Sequence, residues 1–163
     1  MSDVRQFVQA LEAADGQPIV ATCRDEAVTA VRRVVGDRLT IIDRDTVLDS
    51  VGAGLAVTDE PWQAEVGVTS AFAGVEETGT LVLAADADRP RATSLVPPVH
   101  VALLPADRLV ATYAEAVTKV AELRPVPSGV SFITGPSSSG DIELTMVRGV
   151  HGPGEVHVVL YPA

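Results

Sequence analysis

A chain of 163 residues with a formal net charge of -10 is long enough for one domain, residues 1–163, that buries roughly two thirds of its unfolded surface. The acid excess excludes nucleic-acid binding by phosphate neutralisation, which needs a concentrated Lys/Arg surface. The single cysteine, Cys23, excludes an internal disulfide and any Cys-rich metal or iron-sulfur site; it is predicted as a small apolar residue in a strand.

In chain order, Val4, Phe7, Val8 and Leu11 follow the i, i+3, i+4, i+7 spacing of an amphipathic helix over residues 3 to 15. A short apolar strand, Pro18 to Cys23, comes next. Ala27, Val28, Val31, Val34 and Val35 then predict a helix over 25 to 35, stopped by Gly36. Leu39 to Asp43 reads as a second strand and 45 to 51 as a short helix. Such alternation is the pattern of a parallel sheet with helices on its faces. Further strands are predicted within Gln63 to Ser70, at Thr80 to Ala84 and at Val99 to Leu104, with Asp86 to Arg91 as an exposed turn. Residues 112 to 123 have the helical pattern Tyr113, Ala116, Val117, Val120. The last stretch, 131 to 160, reads as a strand, a Gly/Pro/Ser loop, a helix whose first turn holds Asp141 and Glu143, a break at 149 to 154, and a final strand. The N-terminus lacks an apolar signal core, and no stretch approaches the ~20 apolar residues of a membrane span. The expectation is therefore a cytoplasmic protein without membrane insertion.

Three loops carry groups able to do chemistry. The first, Glu76-Glu77-Thr78-Gly79-Thr80, offers a glycine turn whose hydroxyls and amides can donate to a ligand oxygen. Glu77 is a candidate nucleophile or general base there, or simply a solvated carboxylate in a tight turn. In the second, Arg91 to His100, Arg91 presents a planar fork suited to carboxylate or phosphate. His100 lies just inside an apolar strand, as a hydrogen-bonded core residue or as a catalyst. The third, Gly135-Pro136-Ser137 through Gly140, precedes the predicted helix, where unpaired N–H groups would face an anion. Without a lysine it does not match the phosphate-loop pattern, and Asp141 and Glu143 behind it would repel a phosphate. Asp141 is either a helix cap or part of the site, and His151, in the following break, is either exposed or functional.

The stretches "EETGTLVL" at 76–83, "SLVPPVHVALLPADRLV" at 94–110 and "FITGPSSSGDIELTMVRGVHGPGEVHVVL" at 132–160 resemble the LutC/YkgG family of lactate-utilisation proteins, the LUD-domain family. Order and spacing match over roughly residues 65 to 162. Ser138-Ser139-Gly140 stands where the family usually has Arg-Thr-Ala, and Glu76 replaces the usual alanine. The resemblance implies a three-layer α/β/α sandwich with a mostly parallel sheet, similar to the NagB/RpiA/CoA-transferase fold. It also implies an accessory subunit of a complex that oxidises L-lactate to pyruvate, with the iron-sulfur centres in partner subunits and no cofactor or metal of its own. On that reading Glu77, His100 and Asp141 are the candidate catalytic residues. Thr78, Gly79, Thr80, Arg91, Gly135, Pro136, Ser137, Glu143 and His151 are the candidate ligand-binding residues, for a small carboxylate or other anion. Two alternatives stay open: a stand-alone CoA-transferase-like or sugar-phosphate isomerase-like enzyme using Glu77, and a non-catalytic small-anion sensor.

Overall fold

The computed structural model describes residues 4–140 and 146–163. Its centre is a five-stranded, wholly parallel sheet in the order β1 (Gln17–Val20), β11 (Glu155–Tyr161), β6 (Val99–Pro105), β3 (Val66–Ser70) and β2 (Thr40–Ile42). Both faces of such a sheet are covered, so its strands read as near-continuous apolar runs. Every residue of β3 and β6 is buried.

Alternation along these strands sends successive side chains to opposite layers. Val66, Val68, Val99, Val101, Leu103 and Val159 pack with Ala27, Val28, Val31 and Val35 of helix α2 (Arg24–Val35). Ala71, Ala102, Leu104, Val158 and Leu160 face the other way, onto Phe7 and Leu11 of helix α1 (Val4–Ala13). Helix, sheet and helix are the three layers.

A second, four-stranded sheet extends the α1 side: β7 (Leu109–Val110), β4 (Ala73–Val75), β5 (Thr80–Ala85) and β8 (Gly129–Ile133). Its Leu81 joins the α1 cluster, while Ala73, Val75 and Val82 pack with Ala116 of helix α4 (Tyr113–Ala121). The seam between the two sheets is roofed by a single helical turn, α3 (Ala92–Leu95). Gly67 makes that close approach possible, because a Cβ there would stand 1.8 Å from the Thr93 carbonyl oxygen.

Three local expectations are corrected. The helix expected after Gly140 lies mostly outside the described residues, but its described end, Met146–Arg148 (β10), is a strand antiparallel to Ser138–Gly140 (β9). Cys23 is exposed and precedes α2 rather than lying in a strand. Between 45 and 51 the helix is only a 3-10 turn at Thr46–Leu48, started by Asp45, whose carboxylate accepts from Val47 N at 2.9 Å. Strand β4 and turn α3 went unforeseen because segments of three and four residues carry too little periodicity to register.

Candidate functional site

The seam holds two cavities that meet at Ser94. The inner one lies at the carboxyl ends of β2 and β3, where open parallel sheets receive ligands. Asp43, Thr69 and Ser70 line its sheet side, Ser131 its β8 side, and Arg89, Arg91 and Ser94 its mouth. Its enclosed volume is about 10 Å³, the space of one water-sized group.

Asp43 is held against β3 by its own backbone, whose N–H donates to Val68 O at 3.0 Å. Asp43 as a residue is 8% exposed, and its Oδ1 is buried without a hydrogen-bond partner. Burial pushes the group up to about 7, against the opposing pull of the Thr93 hydroxyl and the Arg89 guanidinium. Thr93 Oγ1 is likewise buried and unpartnered, so it stands by the carboxyl outside bonding geometry. Arg89 is engaged elsewhere: Nε donates to Asp86 Oδ2 at 3.1 Å, and Nη1 lies 3.4 Å from Asp45 Oδ2. Arg91 differs, since no acid among the described residues pairs with its guanidinium. Its aliphatic stem runs beside Gly129, whose added Cβ would sit 3.3 Å from Arg91 Cδ.

His100 lies beneath this seam, fully buried in β6, with Nε2 2.9 Å from Thr69 Oγ1 and Nδ1 unpartnered. Burial, with a smaller contribution from nearby His157, lowers it to about 4, so the ring is neutral at physiological pH. It does not line the cavity, whereas its hydrogen-bond partner Thr69 does.

The outer cavity, about 210 Å³, is lined by Ser94 and Leu95 from the second motif and by Thr134, Gly135, Ser137, His151 and Gly152 from the third. The first motif backs it: Thr78 Oγ1 lies 2.7 Å from Thr80 Oγ1, which lies 2.6 Å from Thr134 Oγ1. Gly79 and Gly135 both press on the end of α1, with φ of +65° and +71°. Pro136 is half-buried between these loops. The three motif-bearing loops therefore converge on the seam, but not all of their candidate residues do. Glu77 is exposed, and its Oε1 accepts from Tyr113 N at 2.7 Å, at the start of α4. It lines neither cavity. Asp141 and Glu143 lie outside the described residues.

Beyond Leu95 and His151 the outer cavity opens into a groove bordered by Trp62, Val96, Pro98 and Val150, and Trp62 is 85% exposed. Sequence reading missed Asp43, Thr69, Ser70 and Thr93. The usable signal was position: Asp43 and Thr69-Ser70 are polar residues closing apolar strands of a parallel sheet. Among the described residues no group of three or more His, Cys, Asp and Glu could hold a metal ion, and no helix is long and apolar enough to cross a membrane.

An α/β protein with a mostly parallel sheet and a polar seam at its strand ends is the class that this architecture defines. A crystal structure of a DUF162 family protein from Deinococcus radiodurans shares the fold, with a TM-score of 0.74, 24% sequence identity and coverage of 97% of this chain and 95% of that one. The LUD domain model matches residues 41–161, and the chain belongs to the LUD domain family. Curated relatives carry the name Lactate utilization protein C. One from Bacillus licheniformis is 41% identical over 95 residues, covering 56% of this chain and 40% of the relative. Another, from Bacillus subtilis, is 38% identical over 102 residues, covering 60% of this chain and 42% of the relative. The match thus spans less than half the length of these relatives.

Proposed function

We propose that this chain is an accessory subunit of a cytoplasmic complex that oxidises L-lactate to pyruvate. In this reading it has no redox centre of its own and takes a small carboxylate at Arg91. The observation that carries the proposal is the Arg91 guanidinium, without an acidic partner among the described residues, at the mouth of a crevice lined by hydroxyls. An unpaired guanidinium fork is complementary to a carboxylate, which it grips through two parallel N–H···O bonds. The name of the relatives supports lactate utilisation as the setting. Lactate oxidation needs an electron acceptor, and Cys23 alone cannot ligate a cluster, so the reading assigns the iron-sulfur centres to partner subunits.

Within the proposal, Gly135, Ser137 and His151 form the ligand-side wall of the outer cavity, backed by Thr78, Gly79, Thr80 and Pro136. Asp141 and Glu143 belong to the same proposed site. Glu77 and His100 remain catalytic candidates, Glu77 from its exposed position and His100 through Thr69. The test is reconstitution with the products of neighbouring genes, following lactate-dependent dye reduction with this chain, without it, and with Arg91→Gln. The expected result is loss of activity without the chain and a raised KM for lactate with Arg91→Gln. Full activity in its absence overturns the proposal.

A further inference from the structure

Helix α4 sits on the face of the second sheet turned away from α1, with Ala116 and Val120 packed on Ala73, Val75 and Val82. Its outward face is uncovered: Ala114, Thr118 and Ala121 are exposed, and Tyr113 and Val117 are 42% and 46% exposed. An open groove of about 400 Å³ runs along it, lined by Val110, Ala114, Glu115, Thr118 and Lys119. Lys119 is the single lysine of the chain and pairs with no acid among the described residues. Glu115 lies one turn before it, the spacing at which an intrahelical ion pair forms. Its Oε2 accepts instead from Ala111 N at 3.0 Å, so the two charges stand side by side without neutralising one another.

We propose that this face of α4 binds a second copy of the chain, helix against helix, antiparallel about a two-fold axis at the level of Val117. A symmetric contact has to be complementary to itself. With the axis at that level, residues equally far before and after Val117 face one another. Glu115 then meets Lys119 of the second copy, the symmetry repeats the pair, and Val117 meets its own copy at the centre. At 3.6 residues per turn Glu115 and Lys119 lie about 40° apart on one flank of the helix. A two-fold axis requires that, because it turns each flank onto the same flank of the second copy.

A third charge fits the same register. Glu122 is exposed at the carboxyl end of α4, the end at which the helix dipole disfavours an acid. In the antiparallel pair it falls opposite Thr112 of the second copy, at a helix N-terminus, where a carboxylate is favoured. The charge pattern of α4 is thus complementary to α4 itself, which is the ground for choosing a second copy as the occupant. The nine residues of the helix span only about 13 Å, so the contact is small and belongs with weak associations. This inference is independent of the carboxylate reading of Arg91.

Sedimentation velocity of the whole chain from about 10 μM to about 1 mM tests this. The expected result is a monomer–dimer equilibrium that weakens as salt is added. Lys119→Glu sets carboxylates against carboxylates across the axis, and Glu115→Lys sets ammonium groups against ammonium groups. Each is expected to raise the dimer Kd at least about tenfold. Mixed one to one, the two variants associate again, because each then offers the charge that the other needs. Val117→Asp, at the centre, is expected to abolish the dimer. Circular dichroism checks that each variant folds, above all Glu115→Lys, which also loses the cap on Ala111 N; Lys119→Glu and Val117→Asp carry the test without it. A monomer at every concentration overturns the proposal, and so does a dimer that Lys119→Glu and Val117→Asp leave intact. If the mixture of folded charge variants fails to associate, the antiparallel register is overturned.

Discussion

Thr80 and Thr134, 54 residues apart in sequence, share a hydrogen bond of 2.6 Å between their hydroxyls. That contact joins the Glu-Thr-Gly-Thr loop to the Gly-Pro-Ser loop, and both loops lie against the end of α1. Gly79 and Gly135 make the arrangement possible, since a Cβ would stand 2.3 Å from Leu11 N and 1.9 Å from Ala14 O respectively.

Replacing either glycine by alanine combines a backbone clash with a left-handed φ. Gly79→Ala and Gly135→Ala are each expected to cost about 2–4 kcal/mol of stability. Urea denaturation followed by circular dichroism measures this, and a loss below about 1 kcal/mol would show that α1 yields easily.

The Thr69–His100 pair predicts a polar-core effect. Thr69→Val leaves both ring nitrogens of a buried imidazole unpartnered, because Nδ1 already has no partner. The expected cost is about 1–3 kcal/mol. Thr69→Ser keeps the hydroxyl and should recover most of it, which separates loss of the bond from loss of packing.

Asp43 and His100 make opposite contributions to the pH dependence of stability. Asp43 moves from 3.8 up to about 7, so the stability linked to its proton is present at low pH and is lost as pH rises between those values. His100 moves from 6.5 down to about 4, so its share is present above 6.5 and is lost as pH falls toward 4. Between about 4 and 6.5 the two slopes, each at most about 1.4 kcal/mol per pH unit, oppose one another. The stability of Asp43→Asn relative to the unmodified chain should therefore rise with pH in this window, and that of His100→Gln should fall. Parallel slopes in the two variants would contradict both assignments.

The start of α4 concentrates side-chain caps. Thr112 accepts from Glu115 N at 3.2 Å, Glu115 accepts from Ala111 N at 3.0 Å, and Glu77 reaches across from the first loop to Tyr113 N at 2.7 Å. Glu77→Ala is expected to cost about 0.5–1 kcal/mol, and Thr112→Ala about 1 kcal/mol. Thermal unfolding of the two variants checks the order. A larger loss from Glu77→Ala would show that its carboxylate does more than cap.

Local periodicity carried much of the layering. The 3.6-residue spacing of Phe7 and Leu11, and of Ala27, Val28, Val31 and Val35, marks the faces that cover the sheet, and the apolar runs around Val66 and Val99 mark buried parallel strands, because burial imposes those patterns residue by residue. The same motifs identify the family, and the convergence of their loops was legible in outline. What periodicity cannot carry is contact at a distance. Strand order 1-11-6-3-2 depends on crossovers that leave no local trace, and so does the second sheet. The same limit hid Asp43 and Thr93: each is an ordinary polar residue in its own stretch of chain. Only the closing of β2 against β3, with α3 laid over Gly67, removes both from water. The chemistry of each side chain is a property of the sequence, whereas its isolation from solvent and its neighbours belong to the tertiary structure.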